Sequence, residues 1–302
     1  MAEHIAVLAN PLSGKGRGGR AAQAAVAHLR ERGVEVRAFA GGSAADTARL
    51  AGTALAEEPR VLVVVGGDGT LSGVLDIVCA AAIPVVLVAA GTGNDLARAL
   101  GLPRSDVAAA AELALTGVPR AIDVGEVRTR AAGARKFLTI TALGFDAKVS
   151  DRTNRLRWPH GALRYYLALL IELARLRPMD FTLAIDEGAA KTSPGTLIAV
   201  GSTSSYGGGM PVCAGAVPDD GLLDIVHVAP LGRLRLLRLF PLLLRGHHLS
   251  RPEVTHRRAK TITVSAPGLV AYADGERVGE DECTISLLPG ALTMMVPKES
   301  DA

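Results

Sequence analysis

Three short apolar segments in the first third of the chain each end in a glycine-rich turn, and this pattern constrains the fold more than any other feature. The segments are Ile5–Ala9, Val61–Val65 and Pro84–Ala89, and helical spacing follows each turn. Another strand and helix are predicted at Val34–Ala38 and Ala44–Ala56. This alternation predicts a parallel, doubly wound sheet. Ligands bind such sheets at the carboxyl ends of the strands, where the three turns lie.

A region of different character begins after about Asp123. Most of its apolar segments are short and typical of strands, while Leu163–Arg177 and Leu231–Leu244 have helical spacing. The predicted strands are Val124–Arg128, Phe137–Leu143, Phe181–Ile185, Thr196–Gly201, Leu223–Val228, Lys260–Ser265, Leu269–Ala273 and Cys283–Leu288. We therefore predict an α/β domain over residues 1–123 and a β-rich domain, a β-sandwich, over residues 124–291. A last apolar segment, Leu292–Val296, follows.

Composition argues against several classes of function. The formal charge of +3 is too small an excess to indicate a nucleic-acid partner. No apolar run reaches the roughly 20 residues of a spanning helix, so we expect any membrane contact to be peripheral. The cysteines, Cys79, Cys213 and Cys283, lie far apart without metal-site spacing. This predicts neither disulfides nor zinc and favours a reducing, cytoplasmic location.

The second glycine loop, Gly66-Gly67-Asp68-Gly69-Thr70, carries the strongest chemical signal. Its glycines allow backbone N–H groups to approach phosphate oxygens, and the helix that follows adds its positive end. Asp68 would repel a naked phosphate, so its presence indicates work through Mg²⁺ or a magnesium-bound water. The structural alternative is a tight turn in which Asp68 caps the helix.

The other two glycine loops are weaker signals when taken alone. The first, Asn10–Gly16, lacks the P-loop pattern, although Lys15 and the nearby Arg17 and Arg20 could hold phosphates; the alternative is a solvated basic turn. The third begins with Gly91-Thr92-Gly93, and its Asn94 or Asp95 is compatible with a simple helix cap. Three such loops at one edge of a sheet are hard to explain by capping alone.

Carboxylates cluster at two turns of the second domain. The segment PDDGLLD at 218–224 could bind a divalent cation, or it is an ordinary turn. The Asp274-Gly275-Glu276 segment, called the DGE turn here, has the Asp-Gly pair typical of a hairpin. The functional alternative makes Glu276 the base that accepts a substrate proton, with Asp274 as the competing candidate. His247 and His248 are interpreted as surface residues.

These motifs, in this order, resemble the diacylglycerol kinase catalytic family in its bacterial soluble branch. The matching pieces are NPLSGKG, VVGGDGTLSGVL, PVVLVAAGTGNDLARALGLP, AIDVGEV, TALGFDAKV, YGGGMPVCAGAVPDDGLLDIV and AYADGE. The resemblance implies a nucleotide domain similar to phosphofructokinases and NAD kinases, followed by a β-sandwich. It also implies an active site in the cleft between them and a return of residues 292–302 to the first domain.

The resemblance also implies roles for individual residues. It places ATP on the first loop, on Gly66–Ser72 and on Thr92, and it makes Glu276 the base. It places a structural Mg²⁺ near Val217, Asp220 and Leu222, the outer two through their carbonyls. The nucleotide set expected from motifs and resemblance together is Asn10, Pro11, Ser13, Gly14, Lys15, Gly66, Gly67, Asp68, Gly69, Thr70, Thr92, Asn94 and Asp95. Relatives often carry a threonine after the second strand, where this chain has AGGS, so that contact is lost or moved to Ser43.

The expected reaction transfers the ATP γ-phosphoryl group to a lipid hydroxyl, first of all from diacylglycerol to phosphatidic acid in phospholipid biosynthesis. A sphingoid base or ceramide as substrate, or NAD kinase activity, stays open, as does a homodimer. A rival of another class is a non-catalytic, nucleotide-binding regulator at the membrane. The presence of both Asp68 and Glu276 argues against that rival.

Two segments mix arginine with large apolar residues and predict peripheral membrane docking. The first contains Arg155, Arg157, Trp158, Arg164, Tyr165 and Tyr166; the second, Leu231–Arg251, contains Arg233, Arg235, Arg238 and Arg245. Such segments are attracted to anionic lipid. The alternative, equally open, is that their apolar faces pack on the sandwich.

Overall fold

The computed structural model describes residues 4–130, 132–156, 158–159 and 162–298. The Cα atoms separate into two compact units. The first contains the chain up to Val124, Pro218–Asp220 and the segment from Pro289 onward. The second contains Gly125–Val217 and Gly221–Leu288.

The first unit has a parallel sheet in the order β2-β1-β3-β4, and the end of β14 pairs in parallel with β4. Its elements are β1 (Ile5–Ala9), α1 (Ser13–Glu31), β2 (Val36–Ala40), α2 (Ala44–Ala56), β3 (Val61–Gly66), α3 (Asp68–Ser72), α4 (Leu75–Ala81), β4 (Val85–Ala89), α5 (Asp95–Ala99), α6 (Val107–Thr116) and the start of β5 (Val118–Thr129). Every residue of β1 and β3 is buried, as expected for central strands covered on both faces.

The second unit is a mostly antiparallel β structure with three helices. Its elements are β6 (Gly133–Phe137), β7 (Ile140–Gly144), α7 (Phe145–Arg155), α8 (Ala162–Ala174), β8 (Met179–Ile185), β9 (Lys191–Gly195), β10 (Leu197–Gly201), β11 (Leu223–Val228), α9 (Arg233–Leu243), β12 (Val254–Ala259), β13 (Thr261–Ala273) and most of β14 (Glu276–Val296). The main strand order is β12-β11-β10-β7-β13-β14; β8 also pairs with β13, and β9 pairs with β8.

The core of the second unit is built largely from aliphatic side chains between its strands. Phe137 and Phe181 are its two fully buried aromatic residues in the described cluster, and Ile198, Ile262 and Ile285 pack with them. Aliphatic alternation along β13 and β14 supplies most of the rest. This agrees with a chain in which only 3% of residues are aromatic.

Several elements differ from those predicted. Phe137–Leu143 is two strands, because Leu138 and Thr139 leave the ladder to donate backbone hydrogen bonds to Asp274. Conversely, β13 and β14 each join two predicted strands, since β13 absorbs the Pro-Gly interruption at 267–268 as a register shift. The helices α6 and α7 were not predicted, nor were the mainly exposed edge strands β9 and β12.

Candidate active site

The three glycine loops meet at one edge of the first unit's sheet. A Cβ atom on Gly67 would lie 2.9 Å from the Cα of Gly91, so the second and third loops touch backbone to backbone. A Cβ atom on Gly14 would lie 1.9 Å from the carbonyl oxygen of Ala90, which joins the first loop to the third. Only glycine permits backbone contacts as close as these. The packing of the loops therefore explains why glycine is needed at positions 14 and 67, without reference to a bound ligand.

Arg17 joins the first loop to the third through its guanidinium group. Its Nε donates to the Gly14 carbonyl at 3.0 Å, and its Nη2 donates to the Gly91 carbonyl at 2.9 Å. Sequence reasoning treated Arg17 as a phosphate ligand, but the structure gives it this structural contact. Lys15 in the same loop is exposed, with a backbone φ of 62°.

Asp68 also connects two loops. Its Oδ2 accepts from the backbone N–H of Asp95 at 2.8 Å, and its Oδ1 accepts from that of Leu96 at 3.2 Å. Asp68 therefore caps α5, which starts 27 residues later, rather than its own helix. Two N–H groups at a helix terminus stabilise the negative charge of Asp68, so its carboxylate has a structural explanation beside the predicted magnesium role, which stays a prediction.

The remaining nucleotide candidates also lie in these loops. Asn94 closes the third loop, since its Oδ1 accepts from the Gly91 N–H at 3.0 Å and its Nδ2 donates to the Gly91 carbonyl at 3.3 Å. Asp95 is buried and pairs with Arg98 at 2.7 Å. Thr92 is exposed beside them. The exposed side chains of Lys15 and Thr92 are therefore open to a ligand, whereas those of Asn94 and Asp95 shape the third loop.

Two further residues of the nucleotide hypothesis have local structural contacts. Asn10 turns the first loop, with its Oδ1 accepting from the Leu12 N–H at 3.1 Å. Ser43 is the N-cap of α2, and its Oγ accepts from the Asp46 N–H at 3.1 Å. The serine that follows the second strand thus has a helix-capping contact of its own, whatever it contributes to nucleotide binding.

The predicted magnesium ligands are divided between the two units. Asp220 belongs to the first, and Val217 and Leu222 belong to the second. Next to Asp220, Asp219 forms a two-pronged ion pair with Arg120 at 2.7 and 2.8 Å, which lowers the pKa of the Asp219 carboxyl. One carboxylate and two carbonyls form an oxygen-only donor set that suits Mg²⁺. Among the described residues, no three His, Cys, Asp or Glu side chains cluster as a metal site would require.

The DGE turn is a two-residue hairpin at the junction of β13 and β14. Ala273 pairs with Glu276, and both central residues have positive φ, 47° at Asp274 and 81° at Gly275, as a type I′ turn requires. The Asp274 carboxylate accepts from the N–H groups of Leu138 at 2.8 Å and Thr139 at 2.9 Å. It also accepts from the Thr139 hydroxyl at 2.6 Å. Glu276, in contrast, is exposed.

An apolar cavity of about 100 Å³ lies in the second unit, between the sheet and the three helices α7, α8 and α9. Leucine and valine side chains make up most of its wall, and the polar members are Asp146, Tyr165, Tyr206 and His248. The Tyr206 hydroxyl donates a hydrogen bond to Asp146. Sequence reasoning missed this pair, because 60 residues separate its members and no motif marks either. It also placed His248 on the surface, whereas that ring is 5% exposed.

Large apolar side chains are exposed on the outer faces of α8 and α9. On α8 they are Leu163, Tyr166 and Leu170, and on α9 they are Leu234 and Leu237, with Leu244 just after its end. Trp158, before α8, is 73% exposed. Arg157 in the same predicted segment lies outside the described residues. Among the described residues, no helix has both the length and the hydropathy that crossing a bilayer requires.

The arginines of these two segments divide into two groups. Arg155 pairs with Asp151 and Arg235 with Glu253, while Arg233 donates to the Leu173 and Ala174 carbonyls at the end of α8. Within the described part of the chain, Arg238 and Arg245 are exposed and form no ion pair. Arg238 and Arg245 are therefore better suited to contact an anionic surface than the arginines that already have partners.

Comparison with known proteins matches each half of the chain to a family. Residues 4–127 match the diacylglycerol kinase catalytic domain, and residues 139–296 match the YegS C-terminal NAD kinase beta sandwich-like domain. A diacylglycerol kinase of Mycobacterium tuberculosis is 42% identical over 294 residues, covering 97% of this chain and 95% of that protein. A probable lipid kinase YegS-like protein of Pseudomonas fluorescens is 34% identical and covers 92% and 91%.

Solved structures confirm the predicted fold. A putative diacylglycerol kinase from Bacillus anthracis aligns with a TM-score of 0.78 at 22% identity, covering 98% of this chain and 97% of that one. Yeast NADH kinase in complex with NADH aligns with a TM-score of 0.55 at 12% identity, covering 99% and 85%. The predicted family is confirmed as well: the chain belongs to the diacylglycerol kinase catalytic domain family, and it is a phosphotransferase that acts on a hydroxyl group.

Proposed function

We propose that this protein phosphorylates diacylglycerol with ATP and so produces phosphatidic acid at a membrane surface. The observation that carries the proposal is the apolar cavity in the same unit as the DGE turn, in a chain whose family acts on hydroxyl groups. A soluble dinucleotide would have no use for such a cavity, whereas a lipid chain would.

In this proposal the glycine loops hold the triphosphate of ATP. The exposed Lys15 adds a positive charge, and the loop N–H groups add hydrogen bonds without competing side chains. Asp68 positions the third loop by fixing the first turn of α5. Phosphoryl transfer depends mainly on positioning and charge neutralisation, so a rigid phosphate cradle is the required feature.

Glu276 is the proposed base for the lipid hydroxyl. As the hydroxyl oxygen forms its bond to the γ-phosphorus, the bond from phosphorus to the bridging oxygen of ADP breaks and the hydroxyl proton passes to Glu276. Asp274 is a poorer candidate, because three hydrogen bonds hold its carboxylate in the turn. The hairpin and catalytic interpretations are thus compatible, since Asp274 builds the turn that presents Glu276.

Two magnesium roles belong to the proposal. A bound Mg²⁺ would neutralise charge on the transferred phosphoryl group, and the fold family implies a second, structural ion. Asp220 with the carbonyls of Val217 and Leu222 would hold the structural ion, as oxygen donors that Mg²⁺ prefers. Asp68 and Asp95 place carboxylates beside the glycine loops, and their partners include two backbone N–H groups for Asp68 and Arg98 for Asp95.

Membrane docking completes the proposal, because diacylglycerol lies in a bilayer. The exposed leucines of α8 and α9 would enter the interface, while Arg238 and Arg245 would contact anionic headgroups. An enzyme that docks in this way from the cytosol remains peripheral.

Product analysis tests the proposal against its alternatives. The purified protein is given ATP labelled in the γ-phosphate together with diacylglycerol, sphingosine, ceramide or NAD, each in separate reactions. We expect label in phosphatidic acid with a kcat/KM at least tenfold above that for the other acceptors. Preferential labelling of NADP or of a sphingolipid would reassign the substrate, and ATP binding without transfer to any acceptor would support the regulator instead.

A further inference from the structure

Asp146 is the one carboxylate in the wall of the apolar cavity within the described part of the chain. It is the second residue of α7, and its neighbours in the wall are mostly leucine and valine. Among the described residues, its hydrogen-bond partner is the Tyr206 hydroxyl. A carboxylate at this place is unexpected in a cavity meant only for hydrocarbon, because an ionised group loses solvation there.

Among the described residues, no positive charge faces Asp146 from the elements around the cavity. Tyr165 of α8 and Tyr206 are both uncharged, since burial raises the pKa of each phenol. His248, after α9, has its Nε2 2.9 Å from the Val212 carbonyl, so Nε2 carries the hydrogen, and burial lowers the pKa of the ring. Lys148 of α7 has its amine 3.5 Å from the sulfur of Met179. The described cavity wall contains neither lysine nor arginine.

Burial raises the pKa of Asp146 to about 6, although the hydrogen bond from Tyr206 acts in the opposite direction. With this pKa the carboxyl group is mainly ionised at neutral pH in the empty cavity, where the Asp146 residue is half-buried. An apolar chain that fills the cavity would desolvate the carboxyl group further and disfavour its ionised form.

We propose that the apolar cavity receives an acyl chain of the lipid substrate and that Asp146 takes up one proton as the chain enters. The inference rests on the proposed function, which supplies the occupant. It explains why a carboxyl group is tolerated in the wall: neutral Asp146 keeps its hydrogen bond with Tyr206 and buries no charge. The exposed Leu237 of α9, which also lines the cavity, marks the side from which a chain would enter.

Proton linkage fixes the direction of the pH effect. Binding that takes up one proton weakens as pH rises above the pKa of free Asp146, by up to about tenfold per pH unit. The effect ends at the higher pKa that Asp146 has in the complex. We therefore expect the dissociation constant of a short-chain diacylglycerol to rise about tenfold between pH 6.5 and 8, while that of ATP stays constant.

Calorimetry can count the proton directly. Binding of 1,2-dioctanoylglycerol to the full chain is measured at pH 7.5 in two buffers of different ionisation enthalpy, without ATP. We expect uptake of 0.5 to one proton in the natural protein, as an order-of-magnitude figure for a single linked group. Asp146→Asn should show no uptake and a pH-independent affinity, because the amide stays neutral and still accepts from Tyr206. Asp151→Asn, a matched change on α7 at a residue bonded to Tyr272 and Arg155, should behave like the natural protein.

A second variant keeps the inference testable if Asp146→Asn does not fold. Tyr206→Phe removes the hydrogen bond that favours the ionised form, so the pH at which lipid affinity declines should move upward. Lipid binding without proton uptake in the natural protein, or equal uptake in Asp146→Asn, would overturn the inference, as would failure of the lipid to bind. The proposed function fails separately, if proton-linked binding is observed but no labelled phosphatidic acid forms.

Discussion

At the scale of single residues, two carboxylates that were candidates for chemistry have structural contacts. Asp68 was predicted either to work through a metal or to cap its own helix, and it caps α5, next to the third glycine loop. Asp274 was a candidate base and belongs to a hairpin, and its carboxylate ties that hairpin to Leu138 and Thr139. Motifs identify which residues matter, but partners distant in sequence decide what each does.

Substitution of Glu276 separates the two carboxylates of the DGE turn. Glu276→Gln should lower kcat by about 10²–10⁴-fold with an almost unchanged ATP dissociation constant, because the amide cannot accept the proton. Asp274→Ala should instead lower the free energy of unfolding by about 2–4 kcal/mol, since three donors lose their acceptor. Steady-state kinetics and urea unfolding measure the two effects. Full activity in Glu276→Gln together with a folded but inactive Asp274→Asn would assign the base to Asp274.

Asp106, another helix-capping aspartate of the first unit, provides a matched control for substitution of Asp68. Asp106 caps α6 by accepting from the Ala109 N–H at 2.9 Å, away from the glycine loops. Asp68→Ala and Asp106→Ala should each cost about 1–2 kcal/mol of stability. Only Asp68→Ala should abolish phosphoryl transfer while the chain stays folded. Equal activity in the two variants would reduce Asp68 to a helix cap without catalytic importance.

The raised pKa of Asp146 predicts the direction in which the free energy of unfolding changes with pH. Its pKa is about 6 in the folded chain and near 3.9 when unfolded, so the folded state holds more protons between these values. The contribution of Asp146 to folding therefore falls as pH rises from about 4 to 6 and stays low above that. Asp146→Asn should stabilise the chain at pH 7.5, relative to its effect at pH 4, by on the order of 1–3 kcal/mol. Equal effects at the two pH values would show that the carboxyl group is not desolvated.

At the scale of elements, hydrophobic patterning predicted the buried strands well and the amphiphilic elements poorly. β1, β3 and β4 are apolar and almost completely buried, so their sequence pattern is unambiguous. α7 was missed because it is mostly polar and buries only Phe145, Ala147 and Val149. β12 was missed because its side chains are largely exposed. The cavity could not be predicted, since six separate helices and strands and the loops between them build its wall.

The exposed faces of α8 and α9 can be tested as a membrane contact. Leu170→Glu and Leu234→Glu should each weaken binding to anionic vesicles by about tenfold, because each removes an inserted leucine and adds repulsion. Ile77→Glu is the control, as an exposed apolar residue on α4. Co-sedimentation with vesicles across a salt series measures the apolar and the electrostatic contributions to binding. Binding should fall as salt rises. If the leucine variants bind like Ile77→Glu, the two helices face another partner.

At the scale of the whole molecule, the proposed function draws on both units. The first contains the three glycine loops that we propose as the phosphate site, and the second contains the DGE turn and the apolar cavity. The order of motifs along the chain was sufficient to predict the family. It was not sufficient to predict the lipid, because apolar pockets assemble from leucines and valines whose spacing carries no motif.

The proposed activity transfers a phosphoryl group from ATP to the hydroxyl of diacylglycerol. To test it, the purified protein is incubated with γ-labelled ATP, Mg²⁺ and a total lipid extract, and the labelled product is identified by mass. We expect phosphatidic acid as the main product, with label lost in Glu276→Gln and when the metal is chelated. Label in a different lipid, or release of inorganic phosphate with no labelled lipid, would contradict it.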